Sequence, residues 1–371
     1  MNRRDWMKSM AAAAALPALP AGAARAAAAA PAKIETEVLR INLRHTWTTV
    51  MSSSEFRETL QLHYTRDGVT GYGEGAPIVR YNEDPRGAQK AVEAQRAFLE
   101  AADPWEFEKV MREMNRRVEG QWAAKAAVDI ALMDWIGKKL NVPLYRYFGL
   151  DPREAPVTTF SIGVDTPEVT KQKVREADAF PVLKIKVGLK TDEATIEAVR
   201  SVTKKPLRVD ANEGWTDKEE AVRKINWLET QGVEFVEQPM PAAMADEIRW
   251  VRSRVHLPII ADEAALHPDV VPKLVDTYDG VNVKLDKCGG IMEAYRMIQI
   301  AKALKMKTML GCMVSTSVSV TAAAHLSPLV DYADLDGNLL IANDPYDGVR
   351  VEKGKLILPD RPGLGLTPRK A

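Results

Sequence analysis

Polar and apolar positions alternate along the first part of the chain that follows residue 30. The alternation extends from about Ile34 to Tyr81, as in the run TLQLH at residues 59–63, and an Asp67-Gly68 pair separates two such runs. Alternation around an Asp-Gly pair predicts an antiparallel meander with a hairpin turn.

The period of the apolar residues becomes helical between Pro85 and Leu140. The strongest segment is the alanine-rich run at residues 123–135, where small and apolar residues recur three and four apart. This spacing predicts a buried packing helix. Together with the meander it predicts an α+β capping domain over residues 31–155.

From Val157 onward the chain alternates between short apolar runs and amphipathic runs such as residues 221–231. Eight parallel strands at near-constant spacing favour a closed (β/α)8-type barrel, of the form (β/α)7β, over residues 156–342. Residues 343–371 contain a predicted hairpin and are expected to return to the capping domain. The predicted strands end near the following residues: Phe160, Lys186, Asp210, Glu237, Asp262, Lys284, Cys312 and Asp336.

Charged residues fall at the ends of five successive predicted strands. They are separated by 26, 27, 25 and 22 residues, and each interval has the length of one strand, one helix and two short loops. Each charge is therefore expected at the same end of the sheet, which predicts a metal site between two lysine strands. The five residues are Lys184, Asp210, Glu237, Asp262 and Lys284, with Lys186 on the first strand as well.

The composition is that of an ordinary globular protein. The 371 residues include 51 Lys and Arg against 51 Asp and Glu, so the chain lacks the basic surplus that nucleic-acid binding requires. Only two cysteines are present, Cys288 and Cys312, which excludes a disulfide framework and favours buried packing roles.

The first thirty residues differ from the rest of the chain. Arg3 and Arg4 precede an alanine- and leucine-rich stretch and then small residues, a pattern that resembles a twin-arginine export signal. The pattern predicts a periplasmic protein, or a cytoplasmic one if the signal is not functional; the alternative is an alanine-rich tail. The apolar run is too short for a membrane span, so no stable membrane insertion is expected after signal cleavage.

Five ordered motifs carry a resemblance to a known family. They resemble the enolase superfamily and, within it, the muconate-lactonizing subgroup, from about residue 35 to the C-terminus. Asp334-Leu335-Asp336-Gly337 on the eighth strand resembles the signature of the dipeptide epimerases, the L-Ala-D/L-Glu epimerase family. The five motifs are KIK at 184–186, VDANEGW at 209–215, EQP at 237–239, ADE at 261–263 and NVKLDKCGG at 282–290.

The resemblance implies that Asp210, Glu237 and Asp262 bind Mg²⁺. Three hard oxygen ligands from adjacent strands suit this ion, whereas solvated acids at strand ends are the alternative reading. Mg²⁺ there would stabilise the enediolate that forms when a substrate loses its α-proton.

The resemblance also implies that Lys186 and Lys284 are the acid/base pair. Lys184, two residues from Lys186, and the metal ion would both favour the neutral amine that a base requires. Bases on opposite faces of the α-carbon would produce racemisation or epimerisation, whereas a lyase or cycloisomerase would need only one. Lys287 is expected to lie away from the substrate.

The pair Asp334 and Asp336 is expected on one face of the last strand, where it would bind a cationic α-ammonium. A helix cap or a solvated turn is the alternative for these two residues. The sequence thus predicts an enzyme that inverts the C-terminal residue of a small peptide, such as those released from murein.

Side-chain specificity is expected to come from the cap loop between His45 and Arg57. Ala-Glu epimerases use an arginine from this region on the glutamate carboxylate, and Arg57 is the candidate here, while His45 is more often structural than a ligand. The loop carries Trp47, Val50 and Met51, which suit an apolar substrate, and Glu55, which suits a basic one.

Two positions depart from the family pattern, Ser315 in place of a common glutamate and Ala264 in place of a common serine. Three alternatives to the epimerase stay open: an N-acylamino acid racemase, an o-succinylbenzoate-synthase-like lyase and a non-catalytic periplasmic peptide-binding protein. A homo-oligomer is possible in each case.

Overall fold

The computed structural model of the protein describes residues 30–369. The predicted export signal at residues 1–30 therefore lies outside the described residues, except for Ala30. From Pro31 onward the chain forms one unit in which cap and barrel pack together. None of the helices within residues 30–369 has both the length and the apolar character needed to cross a membrane.

The predicted meander is a three-stranded antiparallel sheet. It consists of β1 (Lys33–Thr48), β2 (Ser53–Arg66) and β3 (Val69–Gly75), in that order. Asp67 and Gly68 connect β2 to β3 with φ values of 50° and 72°. Two successive positive φ values are those of a tight hairpin turn whose twist matches the strands, so the Asp-Gly prediction is confirmed.

Five helices complete the cap, and the longest of them contains the predicted run at residues 123–135. Its residues from Ala123 to Gly137 are all buried, as a packing helix requires. The cap helices are α1 (Pro85–Glu93), α2 (Arg96–Ala101), α3 (Phe107–Arg117), α4 (Trp122–Leu140) and α5 (Leu144–Tyr147).

Strand β3 lies directly on the backbone of α4 because it has glycine at every second position. A Cβ atom on Gly73 would lie 1.9 Å from the carbonyl oxygen of Ala127, and Cβ atoms on Gly71 and Gly75 would each lie 2.1 Å from another α4 carbonyl oxygen. No side chain fits at these distances. The glycines therefore allow a contact between sheet and helix that is closer than side chains permit.

Eight parallel strands form the barrel predicted from the sequence, each beside its sequence neighbours. A parallel bridge between Thr158 and Ala333 joins the last strand to the residues before the first. The first strand begins at Phe160, where the sequence predicted its end; the other strands end within two residues of their predicted positions. The strands are β4 (Phe160–Ile162), β5 (Leu183–Lys186), β6 (Leu207–Asp210), β7 (Val233–Glu237), β8 (Ile259–Ala261), β9 (Gly280–Val283), β10 (Lys307–Gly311) and β11 (Tyr332–Asp334).

Helices cover the outside of the barrel between successive strands. They are α6 (Pro167–Glu176), α7 (Asp192–Arg200), α8 (Lys218–Thr230), α9 (Ala245–Arg252), α10 (Val271–Leu274), α11 (Leu285–Cys288), α12 (Ile291–Ala303) and α13 (Ser317–Ala324).

The closed end of the barrel interior is apolar. Phe235, Ile260 and Met309 are fully buried and form a small cluster with Tyr332, separate from the main core. The guanidinium of Arg208 lies 4.7 Å from the centre of the Tyr332 ring and seals this end. The barrel is thus a packed core with one open mouth.

Carboxylates of the cap bind the N-termini of barrel helices and so fix the cap over this mouth. Glu74 accepts hydrogen bonds from the backbone N–H groups of Thr316 and Ser319 at the start of α13. Asp129 accepts one from the N–H of Ile291 at the start of α12, at 2.5 Å. Helix N-termini carry partial positive charge and unpaired N–H groups, which buried carboxylates satisfy.

The C-terminal segment forms the predicted hairpin and contacts the cap on both sides of it. The carbonyl of Gly354, at the hairpin turn, accepts a hydrogen bond from the N–H of Thr158 at the barrel. Before the hairpin, Asn343 Oδ1 accepts the N–H of Asn42 on β1 at 2.7 Å, and after it the N–H of Leu364 donates to Asp134 of α4 at 2.7 Å. The remaining strands are β12 (Tyr346–Asp347), β13 (Arg350–Glu352), β14 (Lys355–Ile357) and β15 (Thr367–Pro368).

Candidate active site

Strands β5 to β9 bring the predicted lysines and carboxylates together at the barrel mouth. Lys186 lies opposite Asp210 in the register of β5 and β6, and Asp210 lies opposite Glu237 in that of β6 and β7. All of these side chains are buried. The parallel sheet therefore converts a regular spacing along the sequence into one compact charged site.

Asp210, Glu237 and Asp262 form the metal-ligand group that the sequence predicts. Each offers a carboxylate oxygen, and these oxygens lie within 4.8 Å of one another. Nearby, the buried Oδ1 atom of Asn212 and Oε2 atom of Glu263 accept no hydrogen bond from the described residues. Three buried carboxylates with unsatisfied oxygens beside them suit a hard divalent cation.

The charges of the triad are not equal. Burial and the neighbouring charge of Asp210 raise the pKa of Glu237 to about 7, although Lys184 opposes this. Burial also acts to raise the pKa of Asp210 and of Asp262, but the adjacent lysines outweigh it and hold both well below their ordinary range. A bound cation would favour the ionised form of all three carboxylates.

The two proposed bases lie at opposite ends of this triad. Lys186 Nζ donates a hydrogen bond to Asp210 Oδ2 at 2.6 Å, and Lys284 Nζ donates to Asp262 Oδ2 at 2.7 Å. Lys287 Nζ contacts the other carboxylate oxygen of Asp262 at 2.5 Å. Lys287 therefore orients a metal ligand.

Lys184 lies among three carboxylates. Its Nζ is 2.7 Å from Asp334 Oδ2 and 3.1 Å from Asp210 Oδ2. It is also 2.7 Å from Glu237 Oε2, although this contact is not directed as a hydrogen bond. Burial acts to lower the pKa of Lys184, but the charges of Asp334, Glu237 and Asp210 raise it well above its ordinary value. Lys184 is thus a charged link between the triad and β11.

Asp334 and Asp336 lie close to Ser161 of β4 but have different partners. Asp334 accepts hydrogen bonds from the hydroxyls of Thr159 and Ser161 as well as from Lys184. Asp336 accepts the backbone N–H of Ser161 at 2.6 Å. Burial and the charge of Asp334 raise the pKa of Asp336 to about 7. Asp334 is therefore already paired with Lys184, whereas Asp336 has no such ion pair among the described residues.

The two cap-loop candidates make polar contacts away from the triad. His45 Nε2 lies 2.9 Å from Glu176 Oε2 on α6, and both side chains are about half exposed. Arg57, on β2, donates to the carbonyl of the adjacent Phe56 at 3.2 Å. The structure thus does not bring either residue to the lysines.

Other cap residues do reach the mouth. A Cβ atom on Gly188, which follows β5, would lie 2.7 Å from a methyl carbon of Val50, and one on Gly163 would lie 3.5 Å from the Trp47 ring. Burial, followed by the charges of Asp262 and Glu263, raises the pKa of Tyr81 well above its ordinary range. Sequence reasoning missed Tyr81 because it placed this residue at the end of the alternating stretch, whereas β3 ends at Gly75 and Val79–Tyr81 form a separate turn.

Residues quoted only as parts of motifs also contribute contacts. Asn212 donates to Glu263 Oε1 at 3.2 Å, and Asn282 donates to Glu237 Oε1 at 2.7 Å. At the two departures from the family pattern, Ser315 donates to the carbonyl of Met313 and the N–H of Ala264 donates to the side chain of Gln238. Asn212 lies two residues after Asp210 and Asn282 two residues before Lys284, and this spacing from predicted site residues was the signal that could have identified them.

Family models match both parts of the chain. Residues 34–149 match the N-terminal domain of mandelate racemase and muconate lactonizing enzyme, and residues 168–371 match the enolase C-terminal domain-like family. The chain is 39% identical to an L-Ala-D/L-Glu epimerase of Bacteroides thetaiotaomicron, with 98% of this chain and 99% of that protein covered. The chain belongs to the dipeptide epimerase family of the enolase superfamily.

The chain also resembles other dipeptide epimerases in sequence and in structure. It is 43% identical to an L-Ala-D/L-amino acid epimerase of Pedosphaera parvula, over 89% of this chain and 97% of that one. A dipeptide epimerase of Enterococcus faecalis, solved with Mg and the dipeptide L-Leu-L-Tyr, has a TM-score of 0.86 at 33% identity and covers 91% of this chain and 99% of its own. The predictions of the family and of the capped barrel are confirmed, and the protein is an isomerase.

Proposed function

We propose that the protein is a Mg²⁺-dependent dipeptide epimerase that inverts the α-carbon of the C-terminal residue. The observation that carries this proposal is the placement of Lys186 and Lys284 at opposite ends of one carboxylate triad, 2.6 Å and 2.7 Å from their nearest carboxylate oxygens. Inversion requires removal of a proton on one face and delivery on the other, and an amine at each end of the triad supports this reaction.

Asp210, Glu237 and Asp262 would hold the metal ion. When bound there, Mg²⁺ would hold the substrate carboxylate and stabilise the negative charge that develops as the α-proton leaves. One lysine, as a neutral amine, accepts this proton, and the other, as an ammonium, donates a proton to the opposite face. In the reverse direction the two lysines exchange roles.

Asp336 supports a substrate with a free α-ammonium. Because Asp334 is paired with Lys184, Asp336 is the carboxylate that would contact the ammonium, and Asp334 would contribute longer-range charge. An N-acylamino acid carries no such cation, which weighs against the N-acylamino acid racemase and the o-succinylbenzoate-synthase-like lyase. A peptide-binding protein would have no use for two lysines beside the triad.

The cap loop favours an apolar side chain on the substrate. Val50 and Trp47 pack at Gly188 and Gly163, directly above the strand ends. Glu55 is exposed and Arg57 contacts its own backbone neighbour, so neither places a charge at the mouth. We therefore expect dipeptides with an apolar C-terminal residue to react faster than acidic or basic ones.

The cellular role follows from the export signal predicted at residues 1–30. An exported dipeptide epimerase would meet peptides released from murein in the periplasm. Fractionation of cells that express the full chain, compared with a variant in which Arg3 and Arg4 are replaced by lysine, tests this. The variant is expected in the cytoplasm, because twin-arginine signals do not tolerate this change; equal distribution of the two proteins would count against export.

Proton NMR in D2O tests the reaction itself. With Mg²⁺ and L,L-dipeptides, the C-terminal α-proton signal should disappear while an L,D diastereomer appears, and EDTA should stop both changes. Exchange only on N-acylamino acids would identify the racemase, and a change of constitution would identify the lyase. Binding without any exchange would identify the peptide-binding protein.

A further inference from the structure

A short turn of the cap, Val79–Tyr81, projects towards the barrel mouth. The turn closes through a hydrogen bond from the N–H of Asn82 to the carbonyl of Val79, at 2.9 Å, and Asn82 has a φ of 56°. Val79 is 88% exposed at its apex. The backbone hydrogen bond therefore stabilises the turn within the cap, and the contact between the turn and the barrel is made by a side chain.

Arg80 provides this tie. Its Nε and Nη2 atoms donate to the two carboxylate oxygens of Glu213, at 2.6 Å and 2.8 Å. The Arg80 guanidinium also lies 5.8 Å from the centre of the Tyr81 ring. A two-point contact between a guanidinium and a carboxylate fixes direction as well as distance. Arg80 is thus placed between Glu213 on the barrel and Tyr81 on the cap.

Glu213 belongs to the loop that follows the Asp210 strand, and it has two further contacts. One of its carboxylate oxygens accepts a hydrogen bond from the N–H of Ala242, after the Glu237 strand, at 2.8 Å. The backbone N–H of Glu213 donates to the carbonyl of Gln238 at 2.9 Å. Glu213 has a φ of 67°, a conformation that is rare outside glycine and asparagine. The side chain of Glu213 is only 11% exposed. One carboxylate thus joins the cap turn to the loops of two metal-ligand strands.

We propose that Glu213, Arg80 and Tyr81 form a clamp that holds Tyr81 over the metal-ligand end of the mouth as one wall of the substrate site. Arg80 and Glu213 are positioning residues in this clamp, because they act through Tyr81. The clamp rests on the proposed dipeptide epimerase function. The placement rests on geometry: Arg80 lies 5.8 Å from the centre of the Tyr81 ring and is bound to Glu213, three residues beyond the metal-ligand candidate Asp210.

Steady-state kinetics of the full chain with Mg²⁺ tests the clamp. Arg80→Gln and Glu213→Gln should each raise KM for an apolar dipeptide by between about tenfold and a hundredfold, the effect of misplacing a positioning group, with kcat changed less. The double variant should be no worse than either single variant, because both changes break one contact. Arg80→Lys should restore part of the loss, since it keeps the charge but not the two-point geometry.

Arg296→Gln is the matched control. It removes another ion pair between barrel and cap, that of Arg296 on α12 with Glu108 on α3, away from the mouth. The control should keep the KM of the unmodified protein. An unchanged KM in the Arg80 and Glu213 variants, single effects that multiply in the double variant, or an equal loss in the control would overturn the clamp.

Amide hydrogen exchange of residues 77–82 provides a readout that does not depend on turnover. Exchange there should accelerate in Arg80→Gln and Glu213→Gln but not in Arg296→Gln. If the unmodified protein reacts with no dipeptide, the proposed function fails. The clamp is then tested by amide exchange alone, and unaltered exchange of residues 77–82 in the two variants would overturn it. If the unmodified protein reacts and the variants match it in KM, only the clamp fails.

Discussion

The two ends of the barrel interior are built from the same strands with opposite chemistry. On β7, Phe235 faces the closed end and Glu237 the mouth, and on β8, Ile260 and Asp262 are related in the same way. Side chains two residues apart in a strand point to the same face, so each strand contributes to both layers. The apolar layer lies directly beneath the charged one.

The apolar closed end and the charged mouth are expected to contribute differently to stability and to reactivity. Full burial of a large apolar side chain stabilises a fold by about 1.5–3 kcal/mol, whereas a buried ion pair often contributes little net stability because its desolvation is costly. We therefore expect the closed end to determine the free energy of unfolding and the mouth to determine the rate. Variants at each end can separate these two contributions.

The largest effect is expected from the lysines at the mouth. Lys284→Gln or Lys186→Gln should lower the rate of epimerisation roughly 10²- to 10⁴-fold, because each variant lacks one of the two proton carriers. Each should still exchange the α-proton of one diastereomer through the remaining lysine, and NMR in D2O measures both rates. Lys205→Gln, which removes an exposed ion pair with Asp178 outside the mouth, is the control. Full inversion by either mouth variant would refute the two-base mechanism.

The next effect is one of stability at the closed end. Phe235→Ala should lower the free energy of unfolding by about 3–5 kcal/mol, because it leaves a cavity in the cluster with Ile260, Met309 and Tyr332. Denaturant unfolding measures this, and kcat/KM of the folded fraction should change much less.

Glu237→Gln, two residues further along the same strand, is the converse variant. It should abolish turnover while leaving the unfolding free energy within about 1–2 kcal/mol of the original, since it removes one charge from a crowded acidic triad. A reversal of the two outcomes would show that the layers do not divide stability and rate in this way.

A moderate effect is expected from pH through Asp336. Because the pKa of Asp336 is raised to about 7, its carboxyl group is neutral below this pH and cannot pair with an α-ammonium. The value of kcat/KM for dipeptides should therefore rise as the pH rises through about 7. Asp336→Asn should lack this rise, and a pH profile of both proteins measures it.

Stability should change in the opposite direction over the same interval. A raised native pKa gives a stabilising contribution that is complete below about pH 4, the ordinary range of an aspartate, and is lost as the pH rises through 7. Denaturant unfolding of the original protein and of Asp336→Asn at several pH values checks the sign. Equal pH dependence of the two proteins would contradict the assignment.

The smallest effect is expected at His45. The pair with Glu176 is about half exposed, and such pairs contribute about 0–1 kcal/mol. His45→Ala should leave both kcat/KM and the unfolding free energy nearly unchanged. A large loss of activity would support the role in substrate binding that the sequence predicts for this residue.

The sequence predicts the strands of the barrel well because six of the eight predicted ends are charged residues that follow short apolar runs. It also predicts the lysines and the metal triad, since the parallel register turns equal spacing into proximity. The hairpin at Asp67-Gly68 and the buried helix were equally accessible, because local turn chemistry and periodicity determine them.

The contacts among the charged groups could not be predicted in the same way. That Lys184 pairs with Asp334 depends on barrel closure, which places β5 and β11 on either side of β4 although the two residues are 150 positions apart in the chain. Arg80 and Tyr81 lie in a turn beyond β3 that the alternating pattern did not distinguish from a strand, and their partner Glu213 belongs to the barrel. The contact of His45 with Glu176 of α6 depends on the packing of cap against barrel, which no local pattern encodes.

The alternating glycines of β3 also determine how the cap is aligned. A shift of β3 by one residue along α4 would place Tyr72 or Glu74 where the carbonyl oxygens of α4 lie within about 2 Å of a Cβ atom. Such slipped alignments are excluded by steric overlap. Glu74 of β3 also binds the start of α13, so the alignment of β3 on α4 fixes the position of the cap relative to the barrel. Cap and barrel can therefore assemble in only one register.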